Sequence, residues 1–475
     1  MTGFDIPTLD QRGETRLNPP CIGAFDAPTE AAKITKTWTI TTNTSDATDT
    51  GSFGYAFGKA GDGDIIEFNM PSDTIALSAA LSRGTSSSYT NYQNTTITVN
   101  GINQATGNPI VLDCENLAAS IYRSHSGDWS AINFTFNNVV FYKSVNSSQN
   151  GGAFSLGHSS FTQVTHYIFN GCTFEECSSG ALGGAIDAGK YIDLTVENCT
   201  FINNSASQGG AVNAGNANGF SAKFINSTFY GNNATVMGGA LYSTPAATDP
   251  TQVINCTFVG NTAPQGGGVA EAGTLATTLV NCIVTRNSIA ADVVPDVFGV
   301  NLALQNCIVE RKDASVVTDV NPVAFDGLIF AGGVAELKDN GGPTQTIAIS
   351  NDGAAFKAGI ATLDGFAIPT LDQRGETRLT PPCIGAFDAP TESGIITGLT
   401  SVSSQSFVAF ATGKQIQIVS ANAGWATVYN LTGIVIDKAY VDGNTILPAI
   451  LTSGIYIVRL AENNGNVSTA KVLVK

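Results

Sequence analysis

One phrase recurs along the middle of the chain and restricts what it can fold into more than any other feature. It reads Asn-Cys-Thr-Phe-x-x-Asn, followed a few residues later by Gly-Gly-Ala and a branched or aromatic residue. Clear copies are Asn198-Cys199-Thr200-Phe201 with Gly209-Gly210-Ala211-Val212, and Asn255-Cys256-Thr257-Phe258 with Gly266-Gly267-Gly268-Val269. Between them lies Asn226-Ser227-Thr228-Phe229 with Gly238-Gly239-Ala240-Leu241. Weaker copies stand at Phe141, Phe174, Val284 and Val309, so successive landmarks are 33, 27, 28, 29, 26 and 25 residues apart. A drifting period of this size marks a solenoid, with one supersecondary unit per repeat.

The unit is a coil of strands. Apolar residues are two apart in Leu194-Thr195-Val196 and again in Cys199-Thr200-Phe201, and Glu197-Asn198 breaks the phase between them as a corner does. No repeat contains a helical pattern. Each repeat therefore predicts roughly three short strands, and stacked repeats pair as parallel strands about 4.8 Å apart. The expected fold is all-β: a right-handed parallel β-helix, its hand following the usual hand of parallel crossovers.

Stacking accounts for the unusual residue choices. Cys172, Cys199, Cys256, Cys282 and Cys307 each fall two places before the landmark, with Ser227 filling the gap. Free Cys behaves as a small hydrophobe, so this spacing predicts a column of small buried side chains. Metal or redox chemistry would need ligands converging on one point, which a column does not provide. Asn138, Asn198, Asn226, Asn255, Asn281 and Asn306 predict a second column at the corner. Their amides are expected to bond to one another and to corner backbone, as buried polar groups must. The Asn-x-Ser/Thr matches at Asn198 and Asn255 are correspondingly poor signs of glycosylation.

These repeats resemble the Gly-Gly-Ala-Ile and Phe-x-x-Asn motifs of the chlamydial polymorphic outer-membrane protein repeats, over about residues 138–290. The resemblance implies a β-helical surface adhesin, a role of display and binding.

Composition agrees with stacked coils and narrows the partners. Charged residues are 13% of the chain, and 22 Lys+Arg against 38 Asp+Glu give −16 with no basic run. Nucleic acid and anionic membrane surfaces are therefore not expected partners. No apolar stretch approaches the roughly 18 residues of a transmembrane helix. The nine cysteines are odd in number and mostly spent on the column, so no disulfide framework is visible.

Residues 3–30 return almost letter for letter at 365–392, differing at Asp5/Ala367 and Asn18/Thr380. A segment that closes one β-helix thus also opens the chain. The expectation is that residues 1–30 end a preceding tandem β-helix unit and that the chain is a piece of a longer protein. Residues 31–392 are expected to be the β-helix domain. Its start holds Ser52-Phe53-Gly54-Tyr55-Ala56-Phe57-Gly58-Lys59-Ala60, a short amphipathic helix capped by Thr50 or Ser52 and suited to cover the first open edge. The following turn carries Asp62 and Asp64, a candidate Ca²⁺ pair, although two Asp in a turn often serve the turn alone. No other cofactor is expected.

Past Val309 the repeats fade, and the run from Asp339-Asn340-Gly341-Gly342-Pro343 through Asp372-Gln373-Arg374-Gly375 to Cys383-Ile384-Gly385-Ala386-Phe387-Asp388 closes the domain. This signature resembles that of choice-of-anchor Q β-helix surface proteins, over about residues 35–390. The chain departs from it at Phe356-Lys357-Ala358-Gly359. Arg374 and Arg378 are expected to bond open backbone and tie down the last coil. Residues 393–475 differ in kind. Short alternating strands such as Gly454-Ile455-Tyr456-Ile457-Val458 and Lys471-Val472-Leu473-Val474 predict a small Ig-like β-sandwich. They are similar to the C-terminal sorting domain of type IX secretion substrates in Bacteroidetes, which implies export machinery as a partner and a secreted or outer-membrane-associated location.

Parallel β-helices also host polysaccharide lyases and glycoside hydrolases. Lyases need a base beside groups that acidify the uronate α-carbon, and hydrolases need two carboxylates about 5–9 Å apart. The candidates are Glu175, Asp187, Lys190 and Asp193, with His158 and His166 one coil earlier. No lyase or hydrolase motif joins them. The reading therefore leans away from catalysis and toward binding of an extracellular glycan or neighbouring surface, with a lyase-like enzyme as the alternative. A groove of clustered carboxylates and cations would favour the enzyme; a smooth Asn/Thr/Ser flank would favour binding.

Overall fold

The computed structural model describes residues 35–81, 95–115, 117, 120–123, 132–157, 164–215, 220–246, 250–287, 294–316, 318–389, 407–420, 422–430, 434–463 and 467–474. The repeated segment at 1–30 lies outside the described residues. The chain divides into two compact units, 1–389 and 390–475.

The first unit is a parallel β-solenoid. Eleven strands form a first sheet, nine a second, seven a third, and four a short additional sheet. One coil shows the order: Ile192–Glu197 enters the first sheet, Thr200–Ile202 the second, Ser205–Gln208 the short sheet and Val212–Ala214 the third. Such a coil carries four strands rather than the three expected. The extra one was hidden because Ser205–Gln208 buries only Ala206 and so shows no apolar alternation.

The landmarks stack in register. Phe141, Phe174, Phe201, Phe229, Phe258, Val284 and Val309 are consecutive partners across the second sheet. Phe201 lies 4.7 Å from Phe174 and from Phe229, each pair within 3° of parallel. All three rings are fully buried. The parallel-strand spacing of about 4.8 Å sets this ring separation. At the corner before this sheet, Asn138, Asn198, Asn226, Asn255, Asn281 and Asn306 adopt left-handed backbone with φ of 46–56°. Gly171 takes the same role with φ 63°. Asn tolerates that conformation better than other residues with a Cβ, which explains its recurrence there.

Near the start, helix α1 (Phe53–Lys59) has Ser52 as its cap, whose hydroxyl accepts from Tyr55 N at 3.1 Å. Phe53 and Phe57 are fully buried, and Phe57 stacks on Phe134 at 5.1 Å.

In its later coils, at Thr200–Ile202, Thr257–Val259 and Ile283–Thr285, the second sheet is buried on both faces. Outside the Phe column its residues Val259, Ile283 and Ile308 form a second core with Ile329, Phe330, Ile347, Ile349, Cys383, Ile384 and Phe387. The region after the last repeat is thus a strap that runs back along the solenoid. This corrects the role expected for its arginines. Arg378 reaches Asn226 in mid-solenoid at 2.8 Å rather than the last coil. Arg374 makes a two-point bond to Asp372 at 2.9 and 2.7 Å and lies over the Phe387 ring at 3.8 Å.

The second unit holds two antiparallel sheets. One has the order Phe407–Thr412, Gln415–Ser420, Asn444–Ile446; the other runs Val435–Val441, Gly424–Asn430, Gly454–Glu462, Val467–Val474. Phe407, Ile416 and Ile418 from one sheet share a core with Val428, Val458, Leu460 and Val472 from the other, as in a sandwich.

Candidate functional site

Strand pairing decides which side chains can meet, and it separates the acid–base candidates. Glu175 lies in the second sheet beside Tyr142 and Ile202. It is half-buried, and burial together with Glu176 raises its carboxyl above the ordinary range. Asp187 lies in the third sheet, next to Ser155 and Asn213. Asn213 Nδ2 donates to it at 2.6 Å, while burial pushes its acid up to about 6. Lys190 is exposed in the turn after that sheet. His158 lies outside the described residues. The candidates therefore do not share one outer face, because two corners of the coil turn Glu175, Asp187 and Asp193 in different directions.

Among the described candidates, only His166 and Asp193 are brought together. They are partners on neighbouring coils of the first sheet, with His166 Nδ1 2.8 Å from Asp193 Oδ2. Ser221, one coil on, donates to Asp193 Oδ1 at 2.6 Å. This is His–Asp–Ser with the carboxylate in the middle. A nucleophile needs the base, not the orienting acid, as its neighbour, so the three do not form a hydrolase triad.

The wider face around them is a flat polar flank. Successive coils place Thr96, Asn133, His166, Asp193 and Ser221 in one outward column. A parallel column holds Glu67, Asn100, Asn137, Asn170 and Glu197. Asn137 Nδ2 donates to Asn100 Oδ1 at 3.0 Å, and Asn198 Nδ2 to Asn170 Oδ1 at 2.9 Å. The strap covers the second sheet instead, which leaves these donors and acceptors facing outward at one-coil intervals.

The proposed calcium pair is occupied by protein donors. Asp64 accepts from Lys36 N, Trp38 Nε1 and Gly61 N at 2.8, 2.9 and 2.7 Å. Burial pushes its carboxyl up, but these donors outweigh it and hold the acid below its ordinary value. Asp62 accepts from Thr96 N at 2.7 Å. Among the described residues, no three His, Cys, Asp or Glu side chains converge as a metal site would require.

The Cys positions do more than fill space. Cys199 Sγ takes Cys172 N at 3.3 Å, Ser227 Oγ takes Cys199 N at 3.2 Å, and Cys307 Sγ takes Cys282 N at 3.4 Å. A small side chain that can both donate and accept satisfies the inward amide after each corner, so Cys and Ser interchange there.

Amide bonding along the first corner is interrupted, since neither amide atom of Asn255 has a partner. The continuous amide ladder, which sequence reasoning missed, is built from the last residue of Phe-x-x-Asn. Asn204 Nδ2 donates to Asn232, Asn232 to Asn261, and Asn261 to Asn287, each at 2.8 Å. All four are fully buried, and Asn287 hands on to Asp296 Oδ1 at 3.0 Å. The spacing of this Asn was visible in the motif. Its burial was not.

One coil carries a family match. Residues 226–244 match the Chlamydia polymorphic membrane protein (Chlamydia_PMP) repeat. The matched stretch runs from the Asn226 corner through Thr228–Tyr230 to Leu241–Ser243. No curated protein matches the chain. Among the described residues, no helix is long and apolar enough to cross a membrane, which says nothing of β-barrels.

Proposed function

We propose that this chain is a secreted or surface-displayed β-helix protein that binds an extracellular glycan or a neighbouring surface along the outer flank of its first sheet. The observation that carries this reading is the in-register flank of Asn137, Asn170, His166, Asp193 and Ser221. A regular polysaccharide offers hydroxyls at a fixed interval, and a parallel sheet offers polar side chains every 4.8 Å or so. Individually modest hydrogen bonds then add along the axis. A screen of the purified chain against polyuronates and other glycans tests it. The double variant Asn137→Ala with Asp193→Ala should lose at least about tenfold in affinity, roughly two modest hydrogen bonds. Unchanged binding would refute the assignment of this face.

The specific observation for a carbohydrate-active reading is the His166–Asp193 pair, which orients an imidazole at the same flank. A lyase would release unsaturated product in that screen, and turnover abolished by His166→Ala would favour it over simple binding.

Finer assignments rest on the closing signature and the tail. We place the solenoid with choice-of-anchor Q surface proteins of Bacteroidetes, with α1 covering its first coil and residues 1–30 ending a preceding unit. Residues 393–475 are proposed as a type IX sorting domain. Deleting them should leave glycan binding intact and trap the protein in the cell envelope. Normal surface delivery of the shortened chain would exclude the export role.

A further inference from the structure

The second unit differs in charge from the rest of the chain. Residues 390–475 carry five Lys+Arg against four Asp+Glu, so the net −16 lies entirely outside them. Strand pairing sorts the residues of its four-stranded sheet by face. Val428, Val458, Leu460 and Val472 point into the sandwich core. On the opposite face Tyr440 stands beside Trp425, Lys438 and Arg459 flank Thr427, and Lys471 lies next to Ile457. All three cations are exposed.

That outer face is aromatic as well as basic. Trp425 and Tyr440 are 50% and 45% exposed and meet edge-on at 5.5 Å, with Lys438 Nζ 5.4 Å from the Trp425 ring. Leu473, on the last strand, is also exposed. Among the described residues of this face there is no carboxylate. Asp437 turns away to accept from Ala449 N at 2.9 Å, and Glu462 is buried, accepting from Asn422 Nδ2 at 3.2 Å. Asp442 lies in the turn beyond Val441.

We propose that this face docks the second unit on a lipid surface rich in anionic headgroups. Indole and phenol rings have an apolar body and a polar edge, which suits the boundary between headgroups and acyl chains. Lys438, Arg459 and Lys471 supply the charge that anionic headgroups attract, their stems lying along the apolar surface. A sugar chain binds as a thread along one row. Here the rings, the cations and Leu473 are spread over all four strands, an area rather than a line. The whole-chain charge, which argues against such a partner, is an average that describes the rest of the chain and not this unit. The inference rests on this face alone and stands or falls apart from the glycan flank and the export role.

The test is co-sedimentation of the full chain with vesicles. Phosphatidylcholine containing about 30% phosphatidylglycerol is compared with phosphatidylcholine alone, and the first should bind at least about tenfold tighter. Each Lys or Arg near such a surface is worth about fivefold in affinity. Lys438→Gln should therefore cost about fivefold, and the triple variant with Arg459→Gln and Lys471→Gln on the order of a hundredfold. Lys414→Gln, in a turn of the other sheet, should bind as the parent does. Trp425→Ala should weaken binding several-fold yet keep its salt dependence, because the charges remain. These side chains are exposed, and an unchanged thermal midpoint confirms that each variant is folded. Equal binding to both vesicles, a triple variant that binds like the parent, or no vesicle binding overturns the proposal. Retention of a soluble polyuronate through the same three cations, without vesicle binding, would assign the face to an acidic glycan instead.

Discussion

Arg378 Nη2 donates to the side-chain oxygen of Asn226 at 2.8 Å, joining positions 152 residues apart. The same guanidinium bonds Leu371 O at 3.1 Å and Gly385 O at 3.0 Å and lies 3.5 Å from Asp388, with both charged side chains 2% exposed. A planar fork with five donors is what satisfies several carbonyls and a carboxylate at once.

Replacing it should be costly even with another cation. Arg378→Lys keeps the charge but loses the fork, and Arg378→Ala leaves Asp388 buried and unpaired. Breaking a buried pair costs about 3–5 kcal/mol. Both variants should lower the urea midpoint, the Ala form by that amount. A change below about 1 kcal/mol would show that the strap is not anchored here.

Asn232 in the inner ladder and Asn255 at the corner should respond differently. Asn232 accepts from Asn204 N and Nδ2 and donates to Asn261 Oδ1 and Phe201 O. Each buried group left unsatisfied costs about 1–3 kcal/mol, so Asn232→Ala should destabilise by at least about 3 kcal/mol. Asn255 has no amide partner and a left-handed φ of 50° that glycine accepts freely. Asn255→Gly should stay within about 1 kcal/mol of the parent in the same denaturant series. Similar losses in both variants would contradict the division of roles.

Stability should fall between pH 4 and pH 6 through Asp187. Burial raises its acid from 3.8 to about 6, so in this window the folded protein holds a proton that the unfolded chain has released. Its contribution is fully present below the unfolded value and is lost as pH rises through the folded one. Asp187→Asn removes the titration. It should flatten this part of the stability curve and raise stability at neutral pH by about 3 kcal/mol, one pKa unit being about 1.4 kcal/mol. An unchanged slope would show that Asp187 stays ionised in the fold.

Thiol labelling of the native protein should be slow at Cys199, Cys256 and Cys282 and complete after denaturation. All three are fully buried, and burial pushes the Cys199 and Cys282 thiols well up. The thiolate is the reactive form, so both access and ionisation are denied. Fast labelling of the folded chain would place these side chains outside the core.

What could be read without the structure was whatever repeats every coil. Phe201 meets Phe174 and Phe229, its own counterparts one repeat away, so a list of positions and a parallel pairing rule suffice to place the column. The short amphipathic helix at Phe53–Lys59 was likewise legible, because its cap and its apolar spacing are local. The four-strand coil was not, since Ser205–Gln208 carries no periodic signal.

Where information is neither local nor periodic, only the tertiary structure decided the outcome. The course of the strap depends on Gln373 meeting Thr200 across 173 positions, a contact that no repeat announces. The angles of the corners decided that Glu175, Asp187 and Asp193 face apart while His166 and Asp193 touch. They also decided which Asn of the motif turns inward to form the amide ladder. Sequence by itself determines the stacking of one coil on the next, because that contact is between like residues at a fixed period. The direction each side chain faces, and what lies across it, follows from how the whole coil closes.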